Sequence, residues 1–170
     1  MSKDQITIRN ANITKTNFAG RANESGFDQE GKRYILVRLN PEDADQLRAD
    51  GWPVKRTKER PERPDYEPYD FLKIKINYKG FYYNGLRKSS RVYMVTKNNN
   101  TLLEEDEAYK LDENYIEKAD IKVDLIYYKT YDQWSVVLES GFFTIEPDDL
   151  YDEYFGSQRP VIEEDDEAFI

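Results

Sequence analysis

Residues 69–79, YDFLKIKINYK, decide the architecture. Leu72, Ile74, Ile76 and Tyr78 alternate with Phe71, Lys73, Lys75, Asn77 and Lys79. A period of two puts the first set on one face of a β-strand and the second on the other. One face is apolar and suits a core, and the other is basic.

The stretches on either side extend this reading. Residues 91–97, RVYMVTK, read as the partner strand, across a Gly-, Tyr- and Ser-bearing loop at 80–90. Upstream, residues 53–68 hold Pro53, Pro61, Pro64 and Pro68 among charges, the composition of an exposed, extended loop. Residues 32–39, KRYILVRL, are β-branched and aromatic and read as a strand. Asn40, Pro41 and the acids Glu42 and Asp43 then form a helix start, and Gly51 stops that helix. Residues 6–15 read as the first strand, followed by a Gly- and Asn-bearing loop at 16–31. Residues 121–129 and 134–145 read as two late strands around a turn at Tyr131-Asp132-Gln133, and 101–119 as short helical turns. Closely spaced strands with one inserted helix predict a small, mostly β barrel or sandwich rather than a βαβ fold.

Composition narrows the function. The chain of 170 residues fits one domain with a terminal extension. It has no cysteine and no histidine, which excludes disulfides, thiolate metal sites and the commonest general base. No cofactor and no metal are expected. No apolar run approaches 18 residues, and the N-terminus lacks an apolar signal core, so the expected location is the cytoplasm.

The net charge of −9 is unevenly spread. Residues 146–170 hold ten acids and one base, which accounts for all of it, and residues 1–145 balance 24 acids with 24 bases. Such asymmetry marks an acidic interaction tail on a neutral body. From Phe71 to Asn100 there is no Asp or Glu, while Lys73, Lys75, Lys79, Arg87, Lys88, Arg91 and Lys97 all fall there. Tyr82, Tyr83 and Tyr93 lie in the same stretch. Cations compensate phosphates, and aromatic faces stack on unpaired bases. The candidate nucleic-acid contacts are therefore Phe71, Lys73, Lys75, Lys79, Tyr82, Tyr83, Arg87, Lys88, Arg91 and Tyr93. The Pro-rich loop adds Lys55, Arg56 and Lys58, and Phe18 and Trp52 are secondary stacking candidates. A bland alternative stands beside this one: strand lysines also guard edges against aggregation, and tyrosines also fill cores.

The chain ends PVIEEDDEAFI, where Glu163, Glu164, Asp165, Asp166 and Glu167 precede Ala168, Phe169 and Ile170. An acidic run with an apolar tip suits a basic groove that has a hydrophobic pocket. Together with ITIRNANITKTNFAG at 6–20, KRYILVRL, DGWPVK at 50–55, and SGFFTI with DDLYDEY at 140–154, these features carry a resemblance. The chain resembles the single-stranded-DNA-binding proteins of bacteriophages. The resemblance implies a five-stranded Greek-key barrel of OB type, with insertions and one or two short helices, over residues 1–154. It also implies an acidic C-terminal tail over 155–170 that recruits replication or recombination proteins and covers the DNA site when no DNA is bound. The implied role is to coat and protect single-stranded DNA in phage replication or recombination, without enzymatic activity and with little sequence specificity. A homodimer is one assembly open to it. Tails of that family often end on the aromatic residue, whereas here Ile170 follows Phe169.

Two rivals come from other classes. A DNA-mimic or inhibitor protein would carry its acids on the folded surface and bind a basic partner, but here the acids gather at one end. A metal-dependent nuclease would need a ligand set, and neither Glu104, Glu105 and Asp106 nor Asp148, Asp149 and Asp152 has a recognised spacing. Asp28-Gln29-Glu30-Gly31 is too short for a calcium loop, and no phosphate-binding glycine loop occurs.

Overall fold

Eleven strands, one α-helix and two 3-10 turns order the described residues, which in the computed structural model are 4–23, 28–97 and 99–145. In chain order they are β1 (Gln5–Ile8), β2 (Asn12–Asn17), β3 (Arg33–Leu39), α1 (Pro41–Ala49), β4 (Lys55–Arg56), β5 (Asp70–Ile76), β6 (Phe81–Tyr83), β7 (Leu86–Lys88), β8 (Arg91–Val95), β9 (Asn100–Leu103), a 3-10 turn at Glu105–Leu111, β10 (Ile116–Tyr128), a second 3-10 turn at Lys129–Tyr131, and β11 (Gln133–Ile145). The tail and the 154/155 boundary lie outside the described residues. No helix among the described residues is long and apolar enough to cross a membrane.

The alternation in β5 is realised as read. Leu72, Ile74 and Ile76 are buried, and Phe71, Lys73 and Lys75 point the other way. Burying Leu72 and Ile74 contributes about 1.5–3 kcal/mol each. Their neighbours Ile35, Val37, Leu138 and Phe143 close the same core.

The strands form a mixed sheet in the order β1-β10-β11-β5-β3-β2, with β4 added to β5, β8 to β11 and β9 to β8. The two ends of that path are consecutive in sequence. Asn10 takes a left-handed φ of 52°, and the Ala11 amide donates to the Ala119 carbonyl at 2.7 Å. The first strand therefore bends, giving its first half to β10 and its second half to β3.

Segment 91–97 is a strand, but it does not pair with β5. One edge of β5 is taken by β3 over the whole register Arg33–Leu39, and the other by β4 and β11. Instead β11 divides its free edge: β5 lies parallel to Val136–Val137, and β8 lies parallel to Ser140–Thr144. A bulge at Glu139 of β11, between the pairs Lys122–Ser140 and Val123–Leu138, separates the two halves. The loop reading of 80–90 missed the β6–β7 hairpin, whose two strands are only three residues each.

Helix α1 starts as its sequence dictates. The Asn40 side chain accepts the Asp43 amide at 2.8 Å, and Pro41 occupies the first turn. Gly51, at φ 91°, lets the chain reverse so that the Trp52 amide reaches the Leu47 carbonyl. Trp52 is thereby buried in the core instead of offered for stacking. Phe18 is fully buried as well, edge-on to Phe143 at 5.1 Å. The loop around it is held by Asp112, which accepts the Thr16 hydroxyl and the Phe18 and Ala19 amides. Asp70 joins α1 and β4 to β5 by accepting from Arg48 at 2.6 Å and Arg56 at 3.4 Å, and the Arg48 hydrogen bond holds its carboxyl below the usual range.

Gly141 lies mid-strand on the core side of β11, where an added Cβ would meet the Phe143 ring at 2.5 Å and Ile121 at 3.3 Å. Gly141→Ala is therefore expected to destabilise the fold by about 1–3 kcal/mol through overpacking, read as a lower urea midpoint at unchanged slope.

Candidate nucleic-acid interface

The register of three strands builds the outer face. Lys75 lies opposite Tyr34, Lys73 opposite Leu36, and Phe71 opposite Arg38. Lys55 of β4 flanks Phe71 on the other side, and Lys15 of β2 flanks Leu36. Lys55, Phe71, Lys73 and Lys75 are thus brought onto one surface with three residues the sequence reading omitted: Lys15, Tyr34 and Arg38. Strand alternation in KRYILVRL was the signal that could have found the last two.

This face opens into a cleft of about 630 Å³. It is lined by Tyr34, Lys73 and Lys75 together with Asp28, Lys32, Lys79, Glu105, Tyr128 and Tyr131. The Lys73 ammonium lies 4.7 Å from the Tyr34 ring centre. Lys75 lies 5.5 Å from that of Tyr128 and donates to the Ser135 hydroxyl at 3.1 Å. Neither lysine has a carboxylate ion-pair partner among the described residues. Burial lowers the pKa of both. Lys55 adds to the effect at Lys73, while Lys73, Lys32 and Lys55 add to it at Lys75. These cations repel one another over a half-buried surface, so an anion laid along it would be stabilised.

The β10–β11 hairpin borders the cleft through Tyr128, Tyr131 and Gln133, and Tyr131 is 76% exposed. Trp134, 48% exposed, packs against Tyr127 at 5.1 Å on the opposite face of the hairpin. The sequence reading treated 131–133 only as a turn. Aromatic residues at a hairpin tip, beyond the reach of the core, were the missed signal.

The remaining candidates are placed elsewhere. Lys88 is partly buried and paired with Asp124 at 3.1 Å and Glu139 at 3.0 Å. Burial pulls its pKa down, the two carboxylates more than reverse this, and the net value is raised. Tyr83 is buried, packs on Ile126 and Val137, and donates to Asp4 at 2.6 Å. These contacts clamp the β6–β7 hairpin to the sheet, beside the cleft. On its outer side Tyr82 is 62% exposed with the Arg87 guanidinium 5.7 Å away, and Arg87 donates to the Lys79 carbonyl. Gly80, at φ 120°, makes room for that arginine: a Cβ there would sit 2.6 Å from Nη2. Arg91 is exposed on β8, and Tyr93 stacks on Phe142 at 4.6 Å and 6°. Both belong to the half of β11 that β5 does not reach. Arg56 is engaged with Asp70, and Lys58 is exposed in the Pro-rich loop.

A model of the family described as "Putative phage ssDNA-binding domain" matches residues 1–168. The chain belongs to this family. No curated protein matches it. Among the described residues no group of three or more Asp or Glu side chains in this phage ssDNA-binding domain is arranged to hold a metal ion.

Lys88 separates structural from ligand-facing cations. Lys88→Ala leaves buried Asp124 without its cation and is expected to cost about 3 kcal/mol in unfolding free energy. The native contribution is full below the ordinary lysine value of 10.5 and is lost as pH climbs through the raised folded value. Denaturant unfolding of both proteins at neutral and strongly alkaline pH measures it, and the gap between them should shrink at high pH.

Proposed function

We propose that the outer face of β3 and β5, bordered by the β10–β11 hairpin, binds single-stranded DNA with little sequence preference. The observation that carries this reading is a cleft lined by lysines without carboxylate ion-pair partners among the described residues, in a chain of the phage ssDNA-binding family. Lys55, Lys73, Lys75 and Lys79 follow the phosphate backbone, with Arg38, Lys32 and Lys58 at the margins. Tyr131 and Tyr82 offer exposed rings for stacking, worth about 1–3 kcal/mol per base, and Phe71 offers a half-buried edge. Lys88 and Tyr83 serve the ligand indirectly by holding the hairpin that bears Tyr82. Arg91 and Tyr93 lie on the far half of β11 and are the outermost contacts of a long strand.

The fold supports an OB-type reading. The bent first strand (β1 with β2), β3, β5, β10 and β11 correspond to five barrel strands. The bend joins the two ends of the pairing path, β5 and β11 form a parallel pair, and the other elements are insertions. The role is that of a binding protein, not an enzyme: it coats and protects single strands in the host cytoplasm during phage replication or recombination. Glu163–Glu167 with Phe169 and Ile170 recruit replication proteins through a basic, apolar-pocketed groove on the partner.

Titrating oligo-dT at two salt concentrations, followed by the intrinsic fluorescence of the chain, tests the main reading. Binding should weaken steeply with salt, and Lys73→Ala with Lys75→Ala should weaken it further while flattening the log–log salt slope by about 0.7 per lysine. No binding at low salt by full-length and tail-deleted protein alike overturns it. Removing residues 161–170 deletes five acids that compete with DNA for the cleft, so affinity at low salt should rise; unchanged affinity in the same titration refutes that competition.

A further inference from the structure

Two carboxylates, Asp28 and Glu105, line this cationic cleft, and Asp28 is the more buried. The Asp28 side chain is only 10% exposed. Its Oδ1 accepts the Tyr34 hydroxyl at 2.5 Å, and its Oδ2 lies 3.6 Å from Lys15 Nζ. The Lys15 and Lys73 ammonium groups flank the Tyr34 ring at 5.4 and 4.7 Å from its centre. Strand register explains the grouping: Lys15, Leu36 and Lys73 form one row across β2, β3 and β5, and Tyr34 lies two residues from Leu36 on the same face. The Lys15 ammonium and the Tyr34 phenol engage the carboxylate directly, and Lys73, over the Tyr34 ring, feels it only as a longer-range charge; the three together are donors suited to an anionic oxygen. With its ring covered by cations and its hydroxyl engaged, Tyr34 is a donor here and not a stacking platform.

Resting on the single-strand reading above, we propose that Lys15, the Tyr34 hydroxyl and Lys73 form a phosphate subsite, which the Asp28 carboxylate fills in the free protein. The carboxylate has a reason to be there. Without an anion, Lys15, Lys73, Lys55 and Lys75 repel across the cleft, and Asp28 favours the charged form of both Lys15 and Lys73. A backbone phosphate arriving at the subsite replaces one anion with another. The exchange releases little additional salt, and the intramolecular carboxylate weakens binding by competing for the same donors.

A double-mutant cycle in the full chain tests this, with oligo-dT as probe. Asp28→Asn should tighten binding at least threefold at low salt and steepen the salt slope by about 0.7, the increment for one newly available cation. Lys15→Ala should cost more affinity in the Asp28→Asn background than in the native one, because only there has the Asp28 carboxylate stopped competing with phosphate for the Lys15 ammonium. Glu105→Gln, which removes a cleft-edge carboxylate paired with Arg33 at 2.9 Å, serves as a charge control whose effect should not depend on Lys15. The subsite is overturned if Asp28→Asn binds no tighter, or if Lys15→Ala costs the same in both backgrounds. Asp28→Ser carries the same cycle should the amide fail to fold. If the unsubstituted chain binds no oligo-dT, the single-strand reading itself falls; the other two failures remove the subsite alone.

Discussion

The burial of Leu72, Ile74 and Ile76 is the constraint on which the rest depends. These side chains hold β5 between β3 on one edge and β11 on the other. Because side chains alternate along a strand, fixing them inward fixes Phe71, Lys73 and Lys75 outward. A slip of one residue would put lysines in the core and isoleucines in water, so hydrophobic burial enforces the register and with it the position of the cations. The basic face follows from how the core is packed.

Charge in this molecule does two kinds of work. Asp70 with Arg48 and Arg56, and Asp124 and Glu139 with Lys88, are pairs that join elements across the sheet. Each buried carboxylate there has its cation, as desolvation requires. Lys55, Lys73 and Lys75 are different. They share one surface, burial and neighbouring cations lower the basicity of Lys73 and Lys75, and those two have no carboxylate ion-pair partner among the described residues. Such an arrangement raises the free energy of the empty cleft and lowers that of an occupied one. A chain with equal acids and bases in its body can therefore present a strongly cationic face: the balance holds for the total, not for each surface.

Part of this was legible in the chain. The alternation of β5, the capped helix after Asn40, the two late strands and the carboxylate-free run from 71 to 100 all rest on signals within a few residues of each other. What failed to show also has a pattern. The β6–β7 strands are too short to carry a period. The partner of β8 depends on which edges β5 has left open. Phe18 and Trp52, which looked available in loop-like sequence, are buried because Asp112 and the turn at Gly51 draw their loops inward.

The candidate site divides the same way. Local sequence determined which residues are cationic, which strand carries Lys73 and Lys75, and that the surplus acids lie at the C-terminal end, since composition and a two-residue period need no partner to be read. Only the tertiary structure decided that Lys88 is engaged by Asp124 and Glu139, that Tyr34 and Lys15 join the basic face with Asp28 among them, and that Tyr128 and Tyr131 border it. Those groupings unite residues up to about a hundred positions apart in sequence, and strand pairing, not sequence proximity, sets which charges meet and which stay uncompensated.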